Sequence, residues 1–176
     1  MKRILIIFIL VFSTAASAYD LARKYGIGAS GSYAIPLFGN YVNEVANPDF
    51  GYGAHMRYHI DSFFGVELGV SRSNFSDTNI YLNNLNLLGF YRFGGSADIT
   101  PLFGAGLGVT KIKYFYPGSS KLSLLARAGL EYAINRSLSF GAIGDYQYVS
   151  KFLGRMPSPA HILIPQMTLT WYFGVQ

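Results

Sequence analysis

The sequence has no cysteine and one tryptophan, only 13% of its residues are charged, and nothing beyond the first eighteen residues runs for 18 apolar side chains in a row. Without cysteine there is no disulfide, no thiolate metal site and no acylated lipoprotein anchor. Without a long apolar run no helix spans hydrocarbon, which takes about 20 residues. Charge of one sign is scarce too. With Lys2 and Arg3 set aside, twelve basic residues face nine acidic ones, and no basic stripe of the kind that tracks a nucleic-acid backbone is present. Histidine is equally thin. His55 and His59 lie four residues apart on one strand face, about 13 Å along it, too far to share a metal by themselves, so neither a metal nor a cofactor is expected.

The first segment has a processing signature. Lys2-Arg3 precede an apolar stretch over 4–12, and small residues follow, ending Ala16-Ser17-Ala18. This is the order of a secretory signal peptide, with Ala16 and Ala18 as the small residues at the cleavage site. Removal of 1–18 leaves 19–176, a length that suits one domain.

That domain is rich in glycine, with 20, and in aromatics, with 14 tyrosines and 12 of the chain's 14 phenylalanines. Its clearest pattern begins at Tyr52. Tyr52, Ala54, Met56, Tyr58 and Ile60 are apolar, while Gly51, Gly53, His55, Arg57 and His59 are small or polar. A period of two places the sets on opposite faces of a strand. Similar alternation predicts strands over 25–37, 64–71, 81–93, 101–114, 122–134, 138–148 and 162–173. In the fifth, Ile112 and Tyr114 fall on the wrong parity, and a bulge near Lys111 would restore them.

Only a closed sheet satisfies every backbone group of a strand protein in a bilayer. The reading is therefore an all-β, eight-stranded antiparallel up-and-down transmembrane β-barrel after a cleaved signal peptide. A soluble eight-stranded barrel turns its apolar face inward around a ligand. Here the smaller set is mostly Gly, Ser and Thr with a few charges, which suits a narrow lumen, and the bulky apolar set suits lipid. Connections over 38–50, 72–80, 115–121 and 149–161 alternate with those over 61–62, 94–100 and 135–137, and the first set is the longer on the whole, although 115–121 and 94–100 are equal. Because such barrels have short periplasmic turns and longer outer loops, both termini are expected in the periplasm.

The inward parity collects Arg57, Arg92 and Arg127 with Glu67, Glu131 and Asp145, plus His55 and His59. Unpaired buried charges cost several kcal/mol each, so these are expected to pair into a network filling the lumen. A narrow pore gated by the same pairs is the alternative, disfavoured because side chains fill a barrel of this size. Arg72, Lys111, Lys113, Lys121, Lys151 and Arg155 lie at or beyond the predicted outer rim and could meet lipopolysaccharide phosphates. Arg72 sits on the apolar parity, where mid-membrane placement would cost roughly 2–4 kcal/mol, so its strand should reach the interface near Val70. Loop apolars Phe115, Tyr116, Phe152, Leu153 and Met156 could contact a partner or pack the loops together.

Near the chain end Met167, Leu169, Trp171 and Phe173 occupy alternate positions. The segment resembles the C-terminal signal by which barrel-insertion machinery recognises outer-membrane proteins, although Gly174-Val175-Gln176 follow the usual terminal aromatic. With the leader, eight strands and the glycine-rich Phe103-Gly104-Ala105-Gly106-Leu107-Gly108, the chain resembles the OmpA/OmpX-like superfamily of small bacterial outer-membrane barrels. That resemblance implies a monomer in the outer membrane, with lipid and lipopolysaccharide around it. Some small barrels modify lipid A through a Ser, a His and an acid, and Ser158, His161 and Asp145 could be drawn so. The His-x-Ser arrangement of the deacylases is missing, and no enzyme is expected.

Overall fold

A computed structural model describes residues 21–38, 47–76, 80–94, 98–113, 120–150 and 159–174; the signal-peptide reading lies outside them. Eight strands follow one another: β1 (Tyr25–Phe38), β2 (Asn47–His59), β3 (Phe64–Ser76), β4 (Ile80–Arg92), β5 (Ile99–Lys113), β6 (Ser120–Asn135), β7 (Leu138–Val149) and β8 (Ala160–Phe173). Each pairs antiparallel with its neighbours, and β1 also pairs with β8, closing the barrel. At that seam Tyr25 stands opposite Phe173 and Ile27 opposite Trp171.

Alternation decides the faces. Glu131 and Thr170 are buried on the inner face, whereas Leu87 and Met167 are 59% and 65% exposed on the outer one. Aromatic rings band the outer wall near the termini, with Tyr91 packed on Phe64 at 4.8 Å and on Phe93 at 4.6 Å, and Tyr25 on Tyr58 at 4.9 Å. Such a belt suits the membrane interface, where one side of a ring is wet.

The end that carries both termini has tight turns with a sequence-level cause. Asp61 Oδ1 accepts from the backbone N–H of Phe63 at 2.7 Å and of Phe64 at 2.6 Å, and Asn135 Oδ1 accepts from Ser137 N–H at 2.8 Å. Both are side-chain turns of the kind Asp and Asn favour. Gly94, in the connection after β4, has a φ of 89°, a region that suits glycine.

At the opposite, far end the strands run on past the expected boundaries. A tilted strand needs about 9–11 residues to cross a bilayer, and these have 12 to 16. β3 does not stop at Ser71 but continues to Ser76, so the connection expected over 72–80 shrinks to 77–79. The bulge expected near Lys111 does not form. Lys111 faces Asn83 and Lys113 faces Tyr81 in unbroken register, because the outer end of β5 has left the apolar zone and need not keep an apolar face. Register does shift between Pro36 and Phe38 and between Pro48 and Gly51, where proline removes a ladder donor, and again between Ala133 and Asn135.

Candidate functional site: a filled lumen

Register brings the charges together. Arg57 stands opposite Glu67 on β2 and β3, and Arg127 opposite Asp145 on β6 and β7. Arg57 Nε meets Glu67 Oε2 at 2.6 Å; Arg127 Nε and Nη2 grip the two Asp145 oxygens at 2.6 and 2.8 Å. Two further bridges cross the lumen, Arg57 Nη1 to Glu131 Oε2 at 2.5 Å and Arg127 Nη1 to Glu67 Oε1 at 2.7 Å. Arg92 Nη2 reaches Glu131 Oε1 more loosely, at 3.7 Å. The result is one chain of alternating sign: Arg92, Glu131, Arg57, Glu67, Arg127, Asp145.

Neutral groups complete it. Tyr172 donates its hydroxyl to Glu131 Oε1 at 3.0 Å and accepts from Arg57 Nη1 at 3.3 Å, and Gln166 Nε2 donates to Asp145 Oδ2 at 2.8 Å. Six ions are thereby buried with each carboxylate answered by at least two donors, as a low-dielectric site demands. The two histidines line this region but are not links of the chain. His55 Nε2 lies 2.9 Å from Thr170 Oγ1, and the His59 ring packs edge-on between Phe90 and Tyr172, each 5.3 Å away. Beside His55 a cavity of about 30 Å³ is lined by Ser30, Glu67, Asn86, Arg127, Asp145 and Gln166 among others, room for only two or three waters at about 10–15 Å³ each.

Large inward rings need small neighbours. A Cβ on Gly26 would sit 2.7 Å from Tyr172 Cε1, and one on Gly65 would run into the Phe90 ring. Below the charges, Leu21 folds back against Tyr172, held by Arg23 N–H to His59 O at 2.8 Å and Lys24 N–H to Leu21 O at 3.0 Å.

Above the charges the filling changes character. A polar knot comes first: Thr110 Oγ1 lies 2.9 Å from Asn84 Oδ1 and 3.1 Å from Ser123 Oγ, and Gln147 Nε2 donates to Thr110 Oγ1 at 2.8 Å. Beyond it Ala34, Phe75, Ile80, Leu82, Val149, Ala160, Ile162 and Ile164 form a buried apolar plug. Sequence reasoning missed this plug. Its signal was there, since Ile162-Leu163-Ile164 is apolar on both parities, and Leu82 and Ile80 share the parity of Asn84.

The remaining candidates are scattered. Arg72, Lys111 and Lys113 stand on the outer wall at the far end. Lys121 does not join them, because it stands opposite the inward Thr110 and is half-buried. Lys151, Arg155 and the loop apolars Phe115, Tyr116, Phe152, Leu153 and Met156 lie outside the described residues. Met167, Leu169, Trp171 and Phe173 are all exposed on the outer face of β8. The drawn Ser-His-Asp set is not assembled, since His161 stands on the outer parity with Nδ1 2.5 Å from the Tyr146 hydroxyl, while Asp145 faces the lumen and is spoken for by Arg127. Ser158 lies outside the described residues.

No curated protein matches the chain in sequence. Solved structures do match in fold. The N-terminal β-barrel domain of Pseudomonas aeruginosa OprF aligns with a TM-score of 0.66 at 16% identity, over 86% of this chain and 98% of that one. Neisserial surface protein A aligns with 0.66 at 15%, over 85% and 96%. The outer membrane enzyme PagL aligns with 0.50 at 16%, over 84% and 99%, so this architecture also carries catalysts. Residues 4–159 match the outer membrane protein beta-barrel domain, and the chain belongs to that family of bacterial outer-membrane barrels.

Proposed function

We propose that this protein is a sealed, non-catalytic barrel that serves envelope integrity and holds its far-end loops as an interaction surface, with both termini in the periplasm. One observation carries the reading: the lumen is blocked twice along its axis, by the charge chain and by the apolar plug. An ion crossing it would have to break several buried pairs and then traverse a largely apolar layer, and each step costs several kcal/mol. The tight Asp61 and Asn135 turns at the terminal end, against strands that project at the other, support the orientation.

Planar-bilayer recording tests the sealed lumen, with folded protein verified by heat-modifiable gel migration. No reproducible unitary conductance is expected from the native barrel. Steady channels altered by Arg57→Gln or Glu67→Gln would instead establish the narrow-pore reading. Protease shaving of intact cells tests the orientation, since cleavage should fall in the far-end connections.

A further inference from the structure

Three cations stand apart from the lumen network, on the outer wall at the far end. Arg72 belongs to β3, Lys111 and Lys113 to β5, and β4 runs between them. Arg72 is level with Asn83, and Asn83 with Lys111; one step farther out, Tyr81 is level with Lys113. Neighbouring strands lie about 4.8 Å apart, so the charges fall within two strand spacings. Tyr81 organises them. Arg72 Cζ lies 3.7 Å from its ring centroid and Lys113 Nζ 5.5 Å, while Arg72 Nε donates to Asn74 Oδ1 at 3.0 Å.

This is an unusual place to gather like charge. No carboxylate faces outward from β3, β4 or β5 among the described residues, and none of the three cations forms an ion pair there. Directly below lie Val70, Leu85 and Val109 in one register row, all about half exposed on the lipid-facing wall. The cations therefore stand at the border where acyl chains give way to headgroups.

We propose that this patch binds the phosphomonoester of a phosphorylated glycolipid headgroup. A monoester carries about −1.5 to −2 charges near neutrality, which answers three clustered cations better than the single charge of a phosphodiester lipid. The guanidinium, held flat on Tyr81, offers the planar donor set that matches phosphate oxygens. This inference rests on the membrane location that the family shows, not on the sealed lumen, so either can fail alone.

The test uses the full barrel refolded into phosphatidylcholine vesicles containing a bisphosphorylated lipid A, the same fraction of phosphatidylglycerol, or added inorganic phosphate. Lipid co-purifying after mild detergent extraction and the unfolding midpoint are both read. Lipid A is expected to be retained about tenfold better than phosphatidylglycerol and to raise the midpoint, and free phosphate to do nothing. The triple variant Arg72→Gln, Lys111→Gln, Lys113→Gln should lose about tenfold in retention with its midpoint in plain phosphatidylcholine unchanged, whereas Arg136→Gln at the opposite end should retain lipid normally. Equal retention of phosphatidylglycerol, stabilisation by free phosphate or full retention by the triple variant would overturn the proposal. If the triple variant does not fold, Tyr81→Leu decides. It keeps every charge but loses the stacking face, so about threefold weaker retention is expected and unchanged retention overturns the inference.

Discussion

The two halves of the lumen are filled by opposite chemistry. Near the termini the filling is ionic, with Arg57, Glu67, Arg127, Glu131 and Asp145 joined at 2.5 to 2.7 Å; near the far end it is the apolar cluster around Leu82 and Ile162. Both fill the lumen, but they answer damage differently. An ionic filling depends on the count of partners, since removing one leaves another buried charge uncompensated. An apolar filling depends on volume, and a lost methyl group leaves a hole without orphaning anything.

The comparison is most exposed at Arg127, which holds both Asp145 oxygens and one oxygen of Glu67. Arg127→Ala should destabilise the barrel by about 3–5 kcal/mol, read as the denaturant midpoint of heat-modifiable migration in vesicles; an unmoved midpoint would mean that the charge chain contributes no stability. Leu82→Ala in the plug comes next, at roughly 2–3 kcal/mol, toward the lower end of the range for a buried leucine. Should it exceed Arg127→Ala, the far end and not the charge chain would be the stability centre. Tyr172→Phe removes only the hydroxyl between Glu131 and Arg57 and should cost about 1–3 kcal/mol. Smallest is Arg92→Met. Glu131 keeps Arg57 at 2.5 Å and Tyr172 at 3.0 Å without it, so a change within about 1 kcal/mol is expected, because an apolar side chain of similar size replaces a poorly satisfied ion. A larger loss there would show that the 3.7 Å contact to Glu131 matters more than its length suggests.

Strand parity explains why so much of this was legible. Gly, Ser and charge on one face and Leu, Val and aromatics on the other assign inside and outside at Glu67, Arg127 and Trp171 without any knowledge of partners. Pairing was only half visible. Arg57 and Glu67 are joined by a turn that Asp61 closes, so their register follows from local sequence, but the bridges from Arg57 to Glu131 and from Arg127 to Glu67 span residues 74 and 60 apart and depend on the stagger of the whole barrel. The plug was hidden for another reason. An inward apolar residue at the outer end of a strand, such as Ile80 or Leu82, reads as an outward one with slipped register. The histidine-and-carboxylate idea failed on parity alone, because His161 and Asp145 lie on opposite faces of one wall.

The seam between β1 and β8 sets a timetable for the molecule. Residues 25–38 lie against 161–173, so the first strand cannot find its second neighbour until the last has reached the membrane. Bringing such distant segments together carries a closure entropy that grows only as the logarithm of the intervening length, yet until that happens β1 and β8 each carry an open edge that hydrocarbon cannot satisfy. An incomplete barrel of this chain has no stable half-way form in lipid, and insertion and closure must be nearly one event. That places Met167, Leu169, Trp171 and Phe173 on the strand whose arrival ends the process.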